Sequence, residues 1–178
     1  MNLEGQIVKL RAIEEQDLDL LLEMINDAEI EGLTVGYSLP VSRQQQEAWI
    51  RENQNDQNSI RFIIEAAADG AVGFANLIDI DWKNRSAVHN IKIANRKLRH
   101  RGICYDTVRT IMKYAFEELQ LHRLESSIIA SNEAPAKLLC EKLGWSEEGV
   151  KRQALFKRGS YHDVKIMGIV AEDYLKLE

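Results

Sequence analysis

Between Ala87 and Leu119 the hydrophobic pattern changes period across a very short connection. From Ala87 to Ala94 the chain reads as a strand, while from Gly102 onward Val108, Ile111, Met112, Ala115 and Phe116 recur at helical spacing. The connection carries Arg96, Lys97, Arg99 and Arg101 and closes on Gly102. A strand that feeds a helix through so short a loop forces the two to pack together. The first-turn N–H groups of the helix then face outward beside a cluster of cations, which suits an anion of the phosphate type. No Gly-Lys-Ser/Thr triplet follows, so this is not a Walker A loop, and the G-x-G-x-x-G pattern of dinucleotide sites is missing.

The remaining periodicities place this unit inside a mixed α/β domain spanning residues 1–178. Ile7–Ala12 alternates as a strand, and Asp17–Ile30 carries Leu18, Leu21, Leu22, Met24, Ile25 and Ile30 as an amphipathic helix. Gly32–Pro40 reads as a loop. Ser42 and Gln45 have capping-box spacing and open a helix to about Asn53. After a polar linker at Asn55–Asn58, strands are expected at Arg61–Ala66 and Ala71–Ile80, joined by an Asp69-Gly70 hairpin turn. Asp81–Arg85 is a second turn, before the strand at Ala87–Ala94. Beyond the long helix come a strand at Leu124–Ala130, a helix at Ala134–Leu143 stopped by Gly144, and a hairpin of Val150–Lys157 and Tyr161–Val170 around Arg158-Gly159.

Composition narrows the function classes. The 178 residues are 45% hydrophobic, with 23 Lys plus Arg against 28 Asp plus Glu, a net charge of −5. That balance does not suit direct nucleic-acid binding. Charged residues interrupt every apolar run before membrane-spanning length, and the first residues have no secretory pattern, so a cytoplasmic protein with no membrane association is expected. Cys104, Cys140 and the four histidines have no metal-ligand spacing, and no metal is expected. Charge is unevenly spread. From Ala12 to Val41 there is no Lys or Arg, but there are Glu14, Glu15, Asp17, Asp19, Glu23, Asp27, Glu29 and Glu31. An acidic N-terminal segment facing a basic loop suits a cationic acceptor paired with an anionic co-substrate.

Several segments carry a family resemblance. Arg99-x-x-Gly102-x-Cys104 resembles the Q/R-x-x-G-x-G/A loop of the GCN5-related N-acetyltransferase (GNAT) superfamily. Asn132 followed by Leu139-Cys140-Glu141-Lys142-Leu143-Gly144-Trp145 is similar to that family's N-x(6,7)-LYEKLGF segment. Lys157–Asp163 is similar to its closing hairpin, and Ile7–Ala12 with Glu15-Gln16-Asp17 resembles the opening of the subgroup that acetylates ribosomal-protein N-termini and polyamines. The resemblance implies a mixed, mostly antiparallel central sheet flanked by helices, with splayed mid-sheet strands. It implies acetyl-CoA as co-substrate: pantetheine against the backbone of Ile91, Ile93 and Ala94, pyrophosphate on Arg99, His100, Arg101, Gly102, Ile103 and Cys104, and Asn132 on the pantetheine. Tyr37 and Trp49 fall in the segment that lines the acceptor cleft. Homodimers are common among such proteins.

The implied reaction is direct attack of a primary amine on the thioester in a ternary complex. His89, beside the family's base position at Val88, is the candidate base, and Cys140, in the slot of the family's Tyr, is the candidate acid. An α-amino group has a pKa of about 8, against about 10.4 for a lysine-like amine, so a weakly specified base favours a protein N-terminal amine as acceptor. A polyamine or amino sugar is the alternative acceptor, and a non-catalytic acyl-CoA-binding module is the rival from another class.

Overall fold

The computed structural model of the chain describes residues 1–36, 39–53, 55–98 and 101–177, with Arg96 described by its backbone alone. Eight strands form one sheet: β1 (Leu3–Glu4), β2 (Val8–Arg11), β3 (Ile60–Ala66), β4 (Gly70–Asp81), β5 (Ser86–Ile93), β6 (Arg123–Ile129), β7 (Ser146–Lys157) and β8 (Ser160–Val170). Their order is β1-β2-β3-β4-β5-β6-β8-β7, and every neighbouring pair is antiparallel except β5 with β6. The helices are α1 (Leu18–Asn26), α2 (Ala28–Leu33), α3 (Arg43–Asn53), α4 (Ile103–Lys113), α5 (Glu133–Lys137) and α6 (Ala171–Leu175). Both α4 and α5 continue into a wider π turn, at Tyr114–Glu118 and Leu138–Lys142. Among the described residues no helix is long and apolar enough to cross a membrane. The architecture is the mixed, mostly antiparallel sheet flanked by helices that the resemblance implied.

The core follows from strand alternation. Phe62 and Ile64 of β3, Ala75 and Leu77 of β4, Ala87 of β5 and Leu124 and Ile128 of β6 meet Val108, Ile111, Met112 and Ala115 of the α4 helix. Complete burial of such a side chain is worth about 1.5–3 kcal/mol each. On the other sheet face, Trp49 of α3 sits edge-on to Phe74 of β4 at 6.2 Å, and the Arg61 guanidinium lies 5.4 Å from the same indole.

Local differences from the sequence reading have local causes. The helix expected over Asp17–Ile30 breaks at Asp27, whose extended backbone starts α2 and whose carboxylate accepts from the N–H groups of Glu29 and Ile30. Part of the expected loop at Gly32–Pro40 is therefore the end of α2. The Ser42–Gln45 capping box forms as expected, with Ser42 N–H donating to Gln45 Oε1 at 2.8 Å and Gln45 N–H to Ser42 Oγ at 3.3 Å.

Two buried polar groups test this packing. Asp106, in the first turn of α4 and 5% exposed, accepts from the backbone N–H of Gln6, Ile7 and Val8 at 3.0, 2.7 and 3.0 Å, fixing where β2 begins. Asp106→Ala leaves those amides without their acceptor, and a loss of about 3 kcal/mol in denaturant unfolding is expected. Wild-type stability would refute this role. His89 of β5, 2% exposed, has Nδ1 3.0 Å from the Asn76 carbonyl, an orphan Nε2, and Trp145 as a ring neighbour. Burial pushes its pKa down to about 4, against the opposing Asn76 hydrogen bond. The unfolded imidazole takes a proton below about pH 6.5 and the folded one does not until about pH 4, so stability falls as pH drops through that window and is untouched above it. Across it the wild type should lose up to about 3 kcal/mol that His89→Phe does not lose, read from urea midpoints against pH.

Candidate active site

The parallel junction is where the sheet opens. β5 and β6 pair only at Ser86↔Arg123, Ala87↔Leu124 and Val88↔Glu125. Beyond Val88, β5 stays with β4 as far as Ile93↔Gly73, while β6 stays with β8 as far as Ile129↔Val164. The two strands therefore diverge, as the resemblance implied. Ala94 N–H donates to the Val72 carbonyl at 2.9 Å, which fixes the alternation along β5. Backbone groups of Asn90 and Lys92 turn toward β4, and those of His89, Ile91 and Ile93 turn into the gap. An interior strand edge of this kind suits an extended, amide-bearing ligand that completes the ladder. Ile91 and Ile93 lie where the sequence reading put them. Ala94 does not, because its N–H is already taken by β4.

At the wide end of the gap stands the N-terminus of α4. Gly102 caps it at φ +82°, a left-handed conformation that side chains disfavour, and Ile103 is buried beneath the first turn. Outward-facing first-turn N–H groups and the helix dipole make this end attractive to phosphate oxygens. The Asp106 charge is turned aside onto the β2 amides and so opposes an anion there less. Arg101, about half exposed, pairs with Asp69 of the β3–β4 turn at 3.0 Å, and Cys104 is half-buried. Arg99 and His100 lie outside the described residues, as does Tyr37.

The sheet face carrying Phe74 also presents Asn76, Asn90 and Lys92, since register pairs Phe74 with Lys92 and Asn76 with Asn90. Asn90 Nδ2 donates to Asn76 Oδ1 at 3.2 Å. Trp49 covers this face through Phe74. The β7–β8 tip is strapped to it: Lys157 Nζ, 4% exposed, donates to the carbonyl of Gly36 at 2.6 Å and to both the carbonyl and the carboxylate of Glu31. Arg158 donates to the Ala28 carbonyl at 2.9 Å, and Asn132 Nδ2 reaches the Leu33 carbonyl at 3.4 Å. Beside the end of β5 a cavity of about 560 Å³ is lined by Glu23, Asp27, Glu29 and Asp69 together with Ala94, Asn95 and Leu98.

Of the two candidate acid–base groups, His89 is corrected. Its ring lies in the core against Trp145, where burial keeps it neutral, on the sheet face opposite to Phe74, Asn90 and Lys92. Cys140 is exposed on the π turn after α5, within electrostatic reach of Lys165. The sequence reading named Glu31 only within the acidic segment and Lys157 only within the closing hairpin, and it did not single out Lys92. Lys92 was detectable as a polar residue two places from Asn90 within an apolar strand. The Glu31–Lys157 tie spans 126 residues and left no local signal.

The geometry agrees with the comparisons. Residues 8–146 match the family model described as acetyltransferase (GNAT) domain. The spermidine N(1)-acetyltransferase of Vibrio cholerae is 30% identical over 167 residues, covering 93% of this chain and 94% of the relative. The crystal structure of the V. cholerae spermidine N-acetyltransferase in complex with CoA and spermine superposes with a TM-score of 0.88 at 28% identity, covering 96% of this chain and 99% of that one. A putative ribosomal N-acetyltransferase of Bacillus subtilis, YdaF, is 31% identical over a shorter span, 60% of this chain and 57% of its own. A sheet opened at its parallel junction, a basic loop ending in the Gly102 cap and a family match over most of the chain make it a member of the GNAT superfamily, an acyl-CoA-dependent N-acetyltransferase that uses acetyl-CoA as co-substrate.

Proposed function

We propose that the acceptor is a polyamine. The observation that carries this reading is the cavity beside the end of β5, whose lining includes Glu23, Asp27, Glu29 and Asp69. An amine chain with several ammonium groups gains from such a wall while one nitrogen reaches into the gap. The near-complete overlap with spermidine N-acetyltransferases supports the same acceptor, whereas the ribosomal relative covers little more than half of the chain. The order of acceptors expected from the sequence, protein N-terminus before polyamine, is reversed accordingly.

In this reading Ile91 and Ile93 offer their gap-facing backbone groups to the pantetheine arm, and the α4 N-terminus at Gly102–Cys104 receives the pyrophosphate with Arg101 beside it. Arg99 and His100 complete that loop, and Asn132 borders the arm. A gap-facing N–H of β5 holds the oxyanion, the arrangement that commonly contributes most to acyl transfer. The neutral amine attacks the thioester carbon, the N–C bond forms and the C–S bond breaks; Cys140 gives its proton to the departing thiolate, and the surplus proton on nitrogen passes through water to restore the Cys140 thiol. Trp49 borders the acceptor, and the resemblance assigns an acceptor contact to Tyr37 as well.

Steady-state thiol release with spermidine and with N-terminal peptides tests the acceptor. A kcat/KM at least tenfold higher for spermidine is expected, and a preference for peptides would sink the proposal. Glu23→Gln should raise the spermidine KM by up to about fivefold with kcat nearly unchanged, the scale of one exposed ion pair.

A further inference from the structure

Lys92 occupies a position that the acetyl transfer described above does not use. It lies on β5 between Ile91 and Ile93, two of the residues whose backbone groups face the gap, and its own side chain turns onto the proposed acceptor face beside Phe74. It is half-buried there beside Lys157 and Glu31. The Glu31 carboxylate is committed to Lys157, so Lys92 has no hydrogen bond or ion pair among the described residues. Burial, and then the charge of Lys157, lower its pKa, with Glu31 opposing. Lys157 itself is no competitor, because its ammonium is enclosed and bonded to three oxygens.

We infer that Lys92 is an internal acceptor, acetylated in cis by acetyl-CoA bound along the β5 edge when no polyamine is present. The inference rests on the reading of that edge as the thioester site. The neutral Nζ adds its lone pair to the thioester carbonyl and the N–C bond forms. The C–S bond then breaks, CoA leaves as the thiolate, and the surplus proton on nitrogen passes to water. The product is a neutral amide whose added bulk stands on the acceptor face, in place of an amine that formed no ion pair.

The test is intact-protein mass spectrometry of the purified chain incubated with acetyl-CoA alone, followed by peptide mapping. A single acetyl group on Lys92 is expected, at a rate that saturates with acetyl-CoA and does not change when the protein is diluted. Lys92→Arg should abolish the adduct while melting at the wild-type temperature, which separates loss of the site from loss of the fold. Acetylation scattered over exposed lysines such as Lys83, Lys97 and Lys151, rising linearly with acetyl-CoA, would overturn the inference. So would an unmodified Lys92 in a preparation that binds acetyl-CoA and turns over spermidine; that result leaves the edge reading standing. Failure to bind acetyl-CoA in a calorimetric titration would remove the edge reading and the Lys92 reaction together.

Discussion

The arrangement of this molecule depends on a parallel pairing that stops after three residues in the middle of an otherwise antiparallel sheet. A strand edge inside a fold is costly unless its N–H and C=O groups find partners. Here β5 satisfies one side of its backbone on β4, and β6 satisfies one side of its own on β8, while beyond Val88 the gap-facing sides have no ladder partner among the described residues. The flanking elements follow from that opening. The α4 N-terminus stands at its wide end, α1 to α3 close one face, and the α4 body packs the other with Val108, Ile111 and Met112.

Two buried charges tie the elements around the opening together. Asp106 collects three amides of the β2 entry and anchors the helix that carries the anion-facing turn. Lys157 collects two oxygens of Glu31 in α2 and the Gly36 carbonyl beyond it, and anchors the β7–β8 tip there. Each charge is bonded on several sides, as a buried ion requires.

Much of the fold was legible because it is local. Strand alternation, the Ser42–Gln45 box and the stop at Gly144, with φ +72°, are all written in neighbouring residues. The break at Asp27 was hidden by apolar spacing that runs through it, from Leu22 and Ile25 to Ile30, although an Asp at the head of Ala-Glu-Ile-Glu is a capping signal. The motif at Gly102 is seen as the cap of α4, and the resemblance implied an opened sheet, on whose edge the backbone groups of Ile91 and Ile93 lie. The site was not legible at Ala94, where backbone parity decides the direction of the N–H, nor at His89, whose burial depends on Trp145 folding over it. Side-chain identity says little about a site built from main-chain edges.

The strap has a consequence for how the molecule is made. Glu31 and Gly36 leave the ribosome long before Lys157, yet the segment between α2 and α3 gains its buried cation only when the β7–β8 tip arrives. Until that hairpin arrives, the oxygens of Glu31 and Gly36 lack the cation that they bond in the folded chain. The tie between an early acidic segment and a late lysine therefore closes only after the β7–β8 hairpin has been made.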